Sequence, residues 1–385
     1  MRKIYLDNAA TTPLHPEVID EMTECMKNTY GNPSSTHVFG REAKARMEIS
    51  RKKIAEALGV NSSEIVFTSC GTESNNLIIR SCVDYLGVKR IITSDLEHKC
   101  VKETTAEMGA CREVEVLKVK TDKKGSVDYE DFEKKLKSSK EKTLVTLMHA
   151  NNEIGNLLDI EKIQSLCEET GALFHTDTVQ TLGHYPVNLA ELKVDFASCS
   201  AHKIHGPKGI GFAYIKKSTG LKPQITGGGQ ERGLRSGTEN VYGVVGLAKA
   251  FEMAILDLDK NKKQIEELKK YTIEKLQESI PGVGFNGLSG DLEKSLYTVL
   301  NIRLPFKDPL IGFELELKGI AVSQGSACSS GASKVSAVIE SILSPEQIES
   351  TTPLRVSFSA YNTKEDIDGL VGVLKNISQK HLVAH

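Results

Sequence analysis

The sequence predicts an α/β fold: a large domain built on a mostly parallel sheet between helices, followed by a smaller α+β domain. Three observations lead there. A chain of 385 residues exceeds what a single hydrophobic core usually serves. Across its first two-thirds, short apolar runs alternate with stretches of helical period, the pattern of strands buried on both faces by helices. After a long, increasingly charged helical stretch, that alternation stops and a different order of elements begins.

Taken in order, Arg41 to Leu58 places Ala43, Met47, Ile54 and Leu58 near one helical face and stops at Gly59. Glu64–Ser69 reads as a strand. Further strands are expected at Arg90–Ser94, Thr143–His149, Ala172–Thr176, Asp195–Ser200 and Gly209–Ile215. Tyr242–Lys270 reads as a long helical connector out of the large domain. Beyond it come strands at Leu296–Arg303 and Leu354–Ser359, a helix near Asp308–Lys318, and a closing helix that Thr363 and Asp366 would cap. A boundary near residue 255 divides the chain into domains 1–255 and 256–385.

Composition removes several classes of partner. The net charge of −2, with no basic or acidic tail, argues against nucleic acid or an anionic membrane surface. The N-terminus turns polar too soon for a signal peptide, and no stretch approaches the roughly 18 apolar residues of a membrane span. A cytoplasmic protein is therefore expected. Its eight cysteines are scattered without a Cys-x-x-Cys pair, so neither a zinc site nor a disulfide framework is expected, and no metal.

In open α/β sheets, ligands sit beyond the carboxyl ends of the strands, and four polar clusters occupy such positions. Cys70-Gly71-Thr72-Glu73-Ser74 would open a helix whose free N–H groups suit a phosphate, although an ordinary helix start reads the same way. Asp177, in His175-Thr176-Asp177-Thr178-Val179-Gln180, could hold a pyridinium nitrogen protonated or merely cap a helix. Lys203 lies in Ser200-Ala201-His202-Lys203, between an apolar strand and a Gly-Pro turn, where burial could activate its amine. Lys208 reads as solvent-facing. Gly227 to Asn240 combines permissive backbone with Arg232 and Arg235, a composition suited to anions or to a flexible surface loop. An aspartate after one strand and a lysine after the next fits a ring held from both sides.

These residues resemble the cysteine desulfurases, which are fold-type-I, class-V pyridoxal-phosphate enzymes. The resemblance runs in order through Asn8-Ala9-Ala10-Thr11-Thr12, Gly31-Asn32-Pro33-Ser34-Ser35, Thr72-Glu73-Ser74-Asn75-Asn76 and Asn151-Asn152-Glu153-Ile154-Gly155. It continues through the Asp177 and Lys203 clusters, the glycine-rich loop and Gly325-Ser326-Ala327-Cys328. It implies that Lys203 carries the cofactor, pyridoxal 5'-phosphate, as an imine. Asp177 would pair with the ring nitrogen, Gln180 with the ring hydroxyl, and His98 would stack on the ring and move protons. Gly71, Thr72, Ser200 and His202 would hold the phosphate, which Thr238 of a second subunit would complete, implying a homodimer. Asn152 and Arg355 would bind the substrate carboxylate, for which an arginine is a suitable bidentate clamp.

Cys328 lies among small residues from Gly325 to Ser333, a composition expected of a mobile, exposed loop. The resemblance makes it the nucleophile that takes sulfur from L-cysteine as a persulfide and releases L-alanine. Sulfur would then pass to an acceptor or iron–sulfur scaffold protein, for cluster assembly or thiolation. The sequence departs from the family at Thr178, at Cys70, and at Ser333-Lys334-Val335-Ser336, which leaves the acceptor open. A selenocysteine lyase, a class-V aminotransferase and a cofactor-binding sulfur-delivery scaffold are the alternatives.

Overall fold

The computed structural model describes residues 2–324 and 335–383. Its main sheet has seven strands, in the order Ile65–Thr68, Gly211–Ile215, Phe196–Ser200, Leu173–Asp177, Thr143–Thr146, Arg90–Thr93 and Glu115–Lys118. Gly211–Ile215 runs antiparallel to both neighbours, and the other six strands share one direction.

Period-two alternation divides the apolar residues between two faces. Ile92, Val145 and Ala197 belong to a core shared with helices Pro16–Asn28, Val38–Ala57 and Val241–Leu256. Their chain neighbours Ile91, Leu144 and Phe196 belong to the core under helices Gly71–Leu86 and Lys99–Arg112. The sheet is therefore covered on both sides, as its continuous apolar runs require. The edge strand Glu115–Lys118 escapes a reading of apolar runs because its ends are exposed and only Val116 and Leu117 are apolar.

The expected helical connector is two helices, Val241–Leu256 and Leu258–Ser279, meeting at Asp257 (φ −99°, ψ 9°). Hydrogen bonds pass on either side of the break, from Asp257 N to Met253 O and from Asn261 N to Asp257 O. The Asp257 side chain makes no capping bond there, so the break is carried by backbone geometry alone. The second helix and Lys364–Val383 pack beside an antiparallel sheet of Thr352–Ser357, Val299–Leu304 and Gly284–Phe285. The closing helix is capped through Asp366, whose carboxylate accepts the Thr363 N–H at 3.1 Å, while the Thr363 hydroxyl faces Arg2.

The start of the chain joins this second unit. Ile4–Tyr5 pairs in parallel with Ile320–Ala321, and Leu6 is buried in the same cluster as Ile302 and Val356. We propose a domain boundary near residue 255, with the first few residues crossing to the C-terminal domain.

Candidate active site

Five of the parallel strands deliver side chains to one cavity of about 400 Å³ at their carboxyl ends. Gly71, Thr72, His98, Asn152, Asp177, Gln180, Ser200, His202, Lys203 and Arg355 all line it. Thr238 does not: it is exposed, in a groove with Gly237 and Glu239. Cys328 lies outside the described residues.

Lys203 follows the strand Phe196–Ser200 in a short helical turn, and its Nζ donates to the carbonyls of Ala9 and Ala10. Burial, helped by nearby Arg355, pushes its amine down to about 8, with Asp7 and Asp177 pulling the other way. A sizeable neutral fraction near physiological pH is what an imine-forming lysine needs. Lys208 is exposed, as expected.

Asp177 ends its strand almost fully buried. Its Oδ1 accepts the Val179 N–H at 3.0 Å and its Oδ2 the Asn75 amide at 2.7 Å. Among the described residues it has no salt bridge, although a buried carboxylate ordinarily needs a positive partner. Helix Gly71–Leu86, which carries Asn75, begins without a side-chain cap, leaving the N–H groups of its first turn free. The Ser200 hydroxyl beside it is buried without a partner. Burial, reinforced by Lys203, pushes the His202 imidazole down to about 4, so it is neutral.

These features fit pyridoxal phosphate. An uncapped helix start and an unpartnered hydroxyl suit its phosphate, an unpaired buried carboxylate suits its ring nitrogen, and a depressed lysine suits its aldehyde.

Arg355 reaches the cavity from the strand Thr352–Ser357. It donates to Asp7 Oδ1 at 2.9 Å, Ser323 Oγ at 2.9 Å and the Asn152 carbonyl at 3.0 Å. Asn152 is held by its neighbour: the Asn151 side chain accepts the N–H groups of Glu153 and Ile154 and donates to Leu96 O. Gln180 donates to Ala9 O at 3.2 Å. His98 caps helix Lys99–Arg112 with Nδ1 and keeps its ring open to the cavity.

The arginines of the glycine-rich loop have protein partners. Arg235 pairs with Glu73 at 2.8 Å and Arg232 with Glu48 at 3.0 Å, because carboxylates on two neighbouring helices lie within reach. Glu231 fastens the loop further, taking both ends of the buried Arg51 guanidinium at 2.7 and 2.8 Å.

Asp7, Asn75 and Cys100 are site residues that the sequence reading did not assign. Asn75 could have been found, since it stands three residues after Thr72 on one helical face. Asp7 could not, because its arginine partner lies 348 residues away.

A family model described as Aminotransferase class-V matches residues 4–370. The chain belongs to this family. Among curated relatives, a "Cysteine desulfurase IscS" of Dictyoglomus turgidum is 43% identical over 384 residues, covering 98% of this chain and 95% of the relative. A solved structure titled "NIFS-LIKE PROTEIN" superposes with a TM-score of 0.88 at 37% identity, covering 98% of this chain and 99% of that one. Another, "SspA in complex with cysteine", gives a TM-score of 0.80 at 31% identity, covering 94% of this chain and 100% of that one.

Proposed function

We propose that this class-V family member is a pyridoxal 5'-phosphate-dependent cysteine desulfurase that converts L-cysteine to L-alanine and holds the sulfur as a persulfide on Cys328. The observation that carries the reading is Lys203, with its depressed amine, in one cavity with the unpaired Asp177 and with Arg355. The relative named cysteine desulfurase and the neighbour solved with cysteine support the choice of substrate.

Bound there, pyridoxal phosphate supplies an aldehyde for an amine and a protonated ring that takes up electrons as the Cα–H bond breaks. Lys203 would hold the cofactor's aldehyde, and its Nζ, once free, would remove the Cα proton. Asp177 keeps the ring nitrogen protonated, Gln180 orients the ring, and Gly71, Thr72, Ser200 and His202 hold the phosphate. Arg355 and Asn152 bind the substrate carboxylate. His98, which lines the cavity, would lie against the cofactor and exchange protons through Nε2.

Cys328 thiolate attacks the substrate sulfur. An S–S bond forms, the C–S bond breaks with its electrons left on carbon, and that carbon takes a proton to become the alanine methyl. In a homodimer, Thr238 of the second subunit completes the phosphate site. The persulfide passes to an acceptor or iron–sulfur scaffold protein in the cytoplasm.

The test is L-alanine and sulfide released from L-cysteine by the cofactor-loaded protein with a reductant present. Equal amounts support the reading. A keto acid product would instead mark an aminotransferase, and turnover restricted to selenocysteine a lyase. Cys328→Ser should keep the cofactor's colour and lose persulfide transfer, and a variant as fast as wild type would remove Cys328 from the mechanism.

A further inference from the structure

Cys100 lies in the same cavity, two residues beyond His98, and has no part in the reaction described above. Its Sγ is 2.9 Å from His98 Nδ1, and its backbone N–H donates to that same nitrogen at 3.2 Å. The Asn75 amide donates to Sγ at 3.3 Å and to Asp177 Oδ2 at 2.7 Å. The carboxylate fixes which end of that amide faces the sulfur, because a carboxylate only accepts.

The partners of the sulfur constrain where its hydrogen goes. His98 Nδ1 accepts a backbone N–H, so it carries no proton of its own. Burial, with the charge of Asp177 behind it, pushes the Cys100 thiol up to about 11, so the sulfur keeps its hydrogen. Asn75 presents a donor, so it cannot receive that hydrogen. The Thr72 hydroxyl also reaches the sulfur, but His98 Nδ1, at 2.9 Å, makes the shorter contact and has no hydrogen of its own to offer. We propose that Cys100 is a positioning residue, whose thiol donates to Nδ1 and holds His98 as the tautomer with its proton on Nε2, facing the cavity.

This deepens the reading of His98 and rests on the desulfurase assignment for its catalytic meaning only. The resting enzyme offers the substrate a hydrogen-bond donor at Nε2. Taking up the substrate's thiol proton at that atom first requires its own proton to leave. A donor on Nδ1 also opposes protonation there, in the same direction as the burial that already lowers the basicity of the ring. The charged groups facing the imidazole are Asp177 and Glu153, which favour imidazolium, and Lys203 and Lys102, which oppose it.

The test is nitrogen NMR of selectively labelled histidine in the cofactor-loaded protein, with His98 assigned from a His98→Gln sample. Wild type is expected to show Nε2 protonated and Nδ1 bare. Cys100→Ala removes one donor to Nδ1, and the His98 titration should move up by about one pH unit, the scale of one hydrogen bond. Cys100→Ser keeps a donor and should restore the wild-type titration. A wild-type ring protonated on Nδ1 overturns the proposal whatever the variants do, as does a titration unmoved in Cys100→Ala. These readings do not depend on turnover, so an enzyme inactive on cysteine would refute the desulfurase assignment and leave the tautomer to be judged separately.

Discussion

Lys269 offers a test of how the C-terminal unit is held together. It lies within helix Leu258–Ser279, is 0% exposed, and donates to Ser295 Oγ at 2.7 Å and Leu296 O at 3.0 Å. Both acceptors are neutral, and among the described residues no carboxylate forms a salt bridge with it. Burial pushes its ammonium from 10.5 down to about 7, with Asp291 and Glu266 only partly opposing. Between those two values the unfolded chain binds a proton that the folded chain lacks, so stability rises with pH by about 1.4 kcal/mol per unit. Over three and a half units this amounts to roughly 5 kcal/mol, all of it withheld at and below pH 7. Lys269→Met keeps the volume and removes the titration. It strands the Leu296 carbonyl at a loss of about 1–3 kcal/mol, so at pH 7 the variant should be more stable by about 2 kcal/mol or more. The assay is urea unfolding of both proteins from pH 7 to 10, where groups common to both cancel in the difference. The wild type should gain on the variant by about 1.4 kcal/mol per pH unit. A difference that stays flat, or falls, refutes the argument that a desolvated ammonium sits in this core.

Three further outcomes are expected. Arg51→Ala leaves the buried Glu231 carboxylate without its two bonds at 2.7 and 2.8 Å; urea unfolding should show a loss of about 3–5 kcal/mol, the usual result of breaking one side of a buried pair. Glu97 is fully buried, and desolvation pushes its carboxyl up to about 8, so at pH 7 it is neutral in the fold but ionised in the unfolded chain. Wild-type stability is therefore lost as pH rises toward 8, and Glu97→Gln, which keeps the carbonyl accepting from Ser94 and Met148, should gain on wild type across that window in pH-dependent unfolding. Asp7→Asn removes a charge that raises the Lys203 amine, so the pH dependence of cofactor uptake by the apo-protein should move to lower pH. An unmoved or raised profile would remove Asp7 from the electrostatics of the site.

The strands of the large domain could be read from the sequence because each is a short apolar run buried on both faces, as at Ile65–Thr68 and Phe196–Ser200. Asp177 and Lys203 stand where apolar runs give way, so the ends of the strands could be read, but position alone left Asp177 open as a helix cap and only the family resemblance gave the two residues their roles. The edge strand Glu115–Lys118 has exposed ends and only two apolar residues between them, so no run marks it. The break at Asp257 leaves helical periodicity intact on both sides, so a pattern of spacing cannot register it. The pairing of Arg232 and Arg235 with helix carboxylates depends on how the loop folds back, and composition alone had left an anion site and a flexible surface loop both open.

The two halves of the candidate chemistry are encoded differently. The groups toward the cofactor, Asp177, Ser200 and Lys203, come from adjacent parallel strands within 27 residues of one another, so the sheet alone places them. The proposed carboxylate clamp has no such local origin. Arg355 stands on the small antiparallel sheet, Asn152 follows a large-domain strand, and Asp7 follows the N-terminal strand that pairs at Ile320–Ala321. Its geometry exists only when the first residues have joined the C-terminal core. Asp7 also bridges in parallel to Ser357, two residues beyond Arg355, so strand pairing fixes the distance between carboxylate and guanidinium. Under the proposed function, a substrate carboxylate arriving at Arg355 would meet a cation already oriented by Asp7 and the Asn152 carbonyl, and would have to share or displace the Asp7 bond. That competition would make recognition of the carboxylate depend on the joining of the N-terminal strand to the C-terminal core, while the groups proposed for the proton chemistry at Lys203 come from the seven-stranded sheet.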